Sequence, residues 1–265
     1  LFSSSLARVR HLLPTEKISS LLEGSSENGW FVVEFHHDVD GSVARAIVLE
    51  EGWLLRENPY LASNHLLIEG NAARLKQLAE WDEVAYIFPA SDDLVNEVPV
   101  YHCSDETASG VVGQSIPLIG DGWDGPGLGS AALNYAFYNM TKQLPSAEVT
   151  QAVASAFAQW SANAAVSFTP SSNPYGDSTI GILFATGAHG DGYPFGPAGG
   201  ILAHTFYPYP LNPEPIAGDM HFNDANTWGI GNNIDLFSVA LHEAGHALGL
   251  GHSDLPTAVM YPYYK

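Results

Sequence analysis

Basic side chains are scarce in this chain of 265 residues, where nine Lys and Arg stand against 29 Asp and Glu for a formal charge of −20 at pH 7. Beyond residue 107 the only basic ones are Lys142 and Lys265, and arginine is absent. With no basic patch to neutralise phosphates, nucleic acid is excluded as a partner. The single cysteine, Cys103, rules out any disulfide within the chain, so the fold must rest on its core and on metals. No apolar run approaches the ~18 residues that a membrane helix needs. Charged residues of both signs make up only 14% of the chain, against 11% aromatics and 26 glycines. That balance suits a compact, loop-rich globule and not a disordered one. The opening L-F-S-S-S-L-A-R-V-R places its arginines after the apolar part, the reverse of a secretory signal. If the protein is secreted, its signal has already been removed. Asn139-Met140-Thr141 is a glycosylation sequon, meaningful only in a eukaryotic secretory pathway.

What is present is concentrated in V-A-L-H-E-A-G-H-A-L-G-L-G-H, residues 239–252. His242 and His246 are four apart, which on a helix stacks both imidazoles on one face. Gly249 lets the chain leave the helix sharply, so that His252 returns as a third ligand. Three neutral imidazoles suit Zn²⁺ and leave a fourth position for water, the arrangement of a catalytic site. Such a metal brings the pKa of water toward ~7. Glu243, beside the first histidine, stands ready as the general base.

The spacing H-E-x-x-H-x-x-G-x-x-H, followed by Val259-Met260-Tyr261-Pro262, is the signature of a metzincin with its Met-turn. H-S-D-L-P-T-A-V-M-Y-P resembles the matrixins in particular, the matrix metalloproteinases and their bacterial relatives. The resemblance covers most of 115–264 and implies a zinc endopeptidase. It places Met260 as a hydrophobic floor below the metal and the strand ending in Leu202-Ala203 as the edge that pairs with extended substrate. Pro262-Tyr263-Tyr264 would then wall the primed-side pocket, with Ser238, one turn before His242, setting its depth. Matrixin domains normally continue past Pro-x-Tyr into a final helix, which is missing from this sequence.

His189-Gly190-Asp191, Leu202-Ala203-His204 and Asp219-Met220-His221 look like the matrixin structural-zinc loop. His189, Asp191, His204 and His221 would fill a tetrahedron with no position for water, a site that holds a loop and does no chemistry. Calcium is another matter. Where the family places acids around the ion, this chain has Gly196, Asn223 and Asn226, and calcium affinity follows the count of charged oxygens. Asp219 matches a ligand of the family's other calcium site and leaves room for one Ca²⁺. The cofactors implied are therefore two Zn²⁺, with one Ca²⁺ still open.

Upstream, strands are expected at 30–35, 53–56, 64–69 and 84–88, with helices at 42–49 and 72–81. The order β-α-β-β-α-β makes a ferredoxin-like sandwich. W-F-V-V-E-F and W-D-E-V-A-Y-I-F-P make this segment similar to the propeptide domain of subtilisin-type proteases, which folds early and covers an active site. The division expected is a lead-in at 1–27, a propeptide-like domain at 28–91, a linker at 92–114 and a catalytic domain at 115–265. Cys103 lies in that linker, where matrixin zymogens carry the cysteine that caps the catalytic zinc. The local V-Y-H-C-S-D-E departs from the family's P-R-C-G-x-P-D, with Asp105 offered for part of the orienting role. The class expected is α+β. The chain reads as a secreted, monomeric proenzyme whose partners are protein substrates and its own propeptide in cis. The competing reading is a catalytically silent zinc-binding or inhibitory protein, which the intact Glu243 argues against.

Overall fold

The computed structural model describes residues 13–104, 121–125 and 129–264. Two compact units divide them, the first holding 13–100 and Ser253–Pro256, the second 101–104, 121–252 and 257–264.

In the first unit the elements are β1 (Asn28–Phe35), α1 (Gly41–Glu50), β2 (Leu54–Arg56), β3 (His65–Asn71), α2 (Leu75–Leu78), β4 (Val84–Pro89) and α3 (Asp92–Val95). Its sheet runs β2-β3-β1-β4 with every neighbouring pair antiparallel. Phe31, Val33 and Phe35 of β1, at the strand period of two, pack with Ile47 and Val48 of α1 and Leu75 and Leu78 of α2. Asp40 caps α1 by accepting from Ser42 N at 2.8 Å, a donor the helix cannot satisfy internally.

Two expectations shift here. The helix expected at 72–81 shrinks to a 3₁₀ turn at Ala72–Arg74 and the single turn of α2. Beyond it the chain tightens through Glu80 N to Gln77 O and Trp81 N to Leu78 O. Trp81 is then held from two sides, its carbonyl by Lys17 Nζ at 2.7 Å and its indole by Glu51 at 2.9 Å. The end of the lead-in expected at 1–27 is tied into this fold as well. Ile18 bridges to Ile87, and Lys17 is 2% exposed. Burial lowers the Lys17 pKa, against the nearby Asp82 and Glu83 carboxylates, which raise it. Tyr86 donates to Asp254 at 3.1 Å, and burial together with that carboxylate pushes its hydroxyl pKa well up.

The second unit contains β5 (Tyr101–Ser104), β6 (Ala131–Phe137), α4 (Ser146–Asn163), β7 (Val166–Pro170), β8 (Thr179–Ala185), β9 (Ile201–Thr205) and β10 (Met220–Asn223). There follow β11 (Trp228–Gly229), β12 (Ile234–Asp235), α5 (Leu236–Ala247) and β13 (Tyr263–Tyr264). A mixed seven-stranded sheet runs β13-β5-β9-β10-β8-β6-β7. The α+β class expected is what the chain forms. Val149, Val153, Ala156 and Phe157 give α4 its buried stripe at helical spacing. The helix packs beside α5, and Trp160 Nε1 donates to Leu241 O at 2.9 Å.

The segment expected as a linker is structured where it is described. It supplies α3 and then β5, whose strand lies inside the second unit's sheet. Asp105 lies outside the described residues. Asn139 of the sequon is committed to the fold: it donates to Phe184 O and accepts from Phe184 N, both at 2.8 Å.

Candidate metal centres

Helix α5 begins at Leu236 because Asp235 is its cap. The Asp235 carboxylate accepts from Ser238 N at 3.0 Å and from the Ser238 hydroxyl at 2.7 Å. Asp235 N in turn donates to the hydroxyl of Tyr264 at 2.8 Å. At the far end Gly249 takes φ +93°, a conformation that side chains with a Cβ rarely adopt. The chain therefore leaves α5 at once and brings His252 back beneath His242 and His246.

The three imidazoles are buried, and their Nε2 atoms converge: 3.2 Å from His242 to His252 and 3.2 Å from His246 to His252. Their other nitrogens face carbonyl oxygens. His242 Nδ1 lies 2.8 Å from Val259 O and His246 Nδ1 lies 2.7 Å from Leu250 O. A carbonyl only accepts, so each Nδ1 carries the proton and each Nε2 presents a lone pair. Lone pairs converging in a buried space repel unless a cation lies among them. Tetrahedral ligands about 2.0–2.1 Å from zinc stand roughly 3.3 Å apart, close to the separations found, so the donor set fits that metal.

Below this cluster Met260 is fully buried. A Cβ at Gly245 would collide with Met260 Sδ and lie 3.0 Å from Trp160 Cζ2. Gly245 is thus what lets the turn at Met260 pack against the helix, and the reading of the motif had passed over it. Tyr207, also unforeseen, is fully buried with its hydroxyl 3.1 Å from His246 Nδ1.

Glu243 is 0% exposed, and one of its oxygens accepts from the Thr205 hydroxyl at 2.6 Å. Cys103, His242 and Glu243 form a second buried group, their ligand atoms all within 4.8 Å of one another. Cys103 gets there through β5, which pairs parallel with β9 (His102 with Ile201, Ser104 with His204) and antiparallel with β13 (Tyr263 with His102). The chain's own strand therefore lies between Leu202-Ala203 on one side and the segment after Pro262, including Tyr264, on the other. These are the elements expected to hold substrate.

The second cluster is as compact. Asp191 Oδ2 lies 2.7 Å from His189 Nε2, 2.8 Å from His204 Nε2 and 2.8 Å from His221 Nδ1. Since His189 Nδ1 faces Gly187 O at 2.8 Å, a neutral His189 aims a lone pair at the carboxylate, again a contact that favours a shared cation. Burial works to raise the Asp191 pKa, but hydrogen bonds from His204, His221 and Tyr193 N hold it far below the usual carboxylate range. Burial lowers His204 and His221, favouring the neutral rings that metals bind. Phe195 stacks on His189 with ring centroids 4.6 Å apart and closes the site.

Asp219 belongs to neither cluster. It accepts from Gly181 N at 2.6 Å and from the Tyr138 hydroxyl at 2.9 Å. Burial raises its pKa to about 7 against those two bonds. Near Gly196, amides stand in place of acids: Asn223 Nδ2 donates to Ile201 O at 3.0 Å and Gly196 O at 3.3 Å. Asn226 Nδ2 donates to Ile201 O at 3.1 Å and its Oδ1 accepts from Gly199 N at 3.0 Å.

Comparison with known proteins agrees with this geometry. The peptidase family described as matrixin matches residues 128–265. Karilysin of Tannerella forsythia is 44% identical over 152 residues, 56% of this chain and 32% of that protein. Human neutrophil collagenase is 45% identical over 133 residues, 50% of this chain and 27% of its own length. Mouse matrix metalloproteinase-25 is 42% identical over 132 residues, 48% and 21% respectively. The chain thus spans about a third or less of these relatives. With the family match extending over more than half of the sequence and ending on the histidine cluster and the turn at Met260, the chain belongs to the matrixin family.

Proposed function

We propose that the chain is a zinc-dependent endopeptidase held in a latent form. His242, His246 and His252 would hold the catalytic zinc, and His189, Asp191, His204 and His221 a structural one. Zinc, when bound, polarises the scissile carbonyl and acidifies water. Glu243 supplies the rest, accepting the proton of the attacking water and handing it to the leaving amine. Its burial beside His242 keeps that exchange away from bulk solvent. The alternative of a silent zinc-binding protein would leave a buried carboxylate at the metal without a task. The second cluster, with four protein donors, would serve only to fix the loop between β8 and β9.

The observation that carries the reading is the double occupancy of one place: a three-imidazole site with a base, and a cysteine within 4.8 Å of that base and one ligand. Thiolate binds zinc well and would exclude water. With β5 filling the strand position between β9 and β13, latency would come from this strand and from Cys103 together. Residues 28–91 would be the propeptide domain. Their strand order with antiparallel neighbours supports the ferredoxin-like reading. The protein would act outside the cell as a monomer on protein substrates. Among the described residues no helix is long and apolar enough to cross a membrane. Calcium would be dispensable near Gly196, where Asn amides do the bridging, and Asp219 would be the acid of the other calcium site.

Replacing Glu243 with Gln tests this. Peptide cleavage by the processed protein should vanish while bound zinc stays at two per chain. Loss of one zinc equivalent would make Glu243 a ligand, and unchanged cleavage would place the base elsewhere.

A further inference from the structure

We propose that Thr205 is a positioning residue for the base, an inference that rests on the assignment of Glu243 above. The Thr205 hydroxyl donates to Glu243 Oε2 at 2.6 Å, with Thr205 1% and Glu243 0% exposed. That length is the one found for a hydroxyl bonded to a carboxylate, a stronger bond than between neutral partners.

The need for such a contact follows from the side chain itself. Glutamate has three rotatable bonds, and its last one is broad and poorly defined. A base has to sit within hydrogen-bond reach of the proton it takes, and a misplacement of about 1 Å costs on the order of 100-fold in rate. α5 fixes only the Cα of Glu243. The neighbours His242 and His246 are tied down by Val259 O and Leu250 O, and for Glu243 the corresponding restraint reaches it from β9.

The geometry of that strand explains why the hydroxyl arrives in the right place. Successive residues of β9 point to opposite faces. His204 turns to Asp191 and His221, so Thr205 turns the other way, toward α5. Pairing with β10 sets His204 opposite His221 and Thr205 opposite Met220. Thr205 is β-branched and therefore stiff at χ1, so its oxygen is held by backbone register. A longer, freer side chain could not hold the carboxylate as narrowly.

The test uses the zinc-loaded chain carrying Cys103→Ala and processed by limited proteolysis, so that neither the thiol nor β5 occupies the site. Thr205→Val keeps the shape and removes the hydroxyl, and Thr205→Ser restores it. Thr205→Val should lower kcat about ten-fold or more with KM and zinc content unchanged, and Thr205→Ser should recover most of the loss. Crystal structures of the same proteins give a readout independent of turnover. The Glu243 carboxylate should leave its position in Thr205→Val and keep it in Thr205→Ser, with Thr205→Ala standing in if the valine variant does not fold. A carboxylate that stays in place in Thr205→Val, or a kcat equal to the parent's, would overturn the proposal. Glu243→Gln in the same background separates the two ideas. If it too cleaves normally, the base has been misassigned. If it is inactive while Thr205→Val is fully active, only the positioning role fails.

Discussion

Asn223→Asp is the perturbation that best probes whether the amides of the loop before β9 take the place of calcium, as proposed above. The change alters one atom, turning a donating –NH₂ into an oxygen. Asn223 is 0% exposed, and its Nδ2 faces Ile201 O at 3.0 Å and Gly196 O at 3.3 Å. Ile201 O retains the amide of Asn226 at 3.1 Å, so the lost bonds themselves cost about 1–2 kcal/mol. The larger effect is the charge. A buried carboxylate facing carbonyl oxygens pays a desolvation penalty of several kcal/mol unless it is protonated or meets a cation. Together these should cost about 3–5 kcal/mol at pH 8. At about 2–4 °C per kcal/mol for a unit of this size, the melting temperature should fall by roughly 6–20 °C.

The pH dependence has a definite sign. Burial raises the new acid's pKa in the folded state, so the fold binds the proton better than the unfolded chain does. The variant is then closest to the parent at low pH and loses stability as pH rises through the raised pKa. Calcium should reverse the loss, by about 2.7 kcal/mol at one hundred times its Kd. Thermal melts of zinc-saturated protein, at pH 5 and pH 8 with calcium or a calcium chelator, read all of this. A variant as stable as the parent at pH 8 without calcium would refute the reasoning, as would a parent that calcium itself stabilises.

Cys103→Ser should relieve latency, since a neutral hydroxyl is a far poorer zinc ligand than thiolate; a variant as inert as the parent in a peptide-cleavage assay would leave β5 alone as the block. Gly245→Ala gains about 1 kcal/mol of helix propensity but forces a methyl into the fully buried Met260. Overpacking costs about 1–3 kcal/mol, so melting should fall by a few degrees, and a rise would mean that Met260 yields freely. If Ser238 sets the depth of the primed-side pocket that the matrixin resemblance implies, Ser238→Arg should shift a peptide-library profile toward small residues after the scissile bond. An unchanged profile would remove Ser238, whose hydroxyl is tied to Asp235, from the pocket's determinants.

The cluster of His242, His246 and His252 was legible because its geometry is local. A helical spacing of four and a glycine able to take φ +93° leave little for tertiary structure to decide. The second cluster was legible for another reason: its four donors have no shared period, but together they matched a family pattern. What escaped was set by distant contacts. Beyond α2 the chain tightens into shorter turns at Glu80 and Trp81, and Lys17, more than sixty positions away, holds Trp81 O. Tyr101-His102-Cys103-Ser104 does alternate apolar and polar, but four residues flanked by turn-forming and acidic sequence are too short a signal, and pairing with β9 and β13 on both sides makes them a strand. Ser238 could be placed by its spacing from His242, whereas its bond to Asp235 depended on where the helix is capped.

Thr205 and Tyr207 were missed although the sequence held a clue. His204 had been assigned to one cluster, and in a strand that assignment sends its neighbours the other way. Thr205 reaches Glu243, and Tyr207, beyond the strand's end, reaches His246. β9 therefore serves both centres by alternation, and its register links them. A slip of one residue would turn His204 toward α5 and Thr205 toward Asp191, emptying one cluster and leaving the base unheld. The pairing of His204 with His221 across β9 and β10 opposes that slip, and a metal bound by both rings would oppose it further. On this view the second cluster does no chemistry, yet it helps to determine where Glu243 stands.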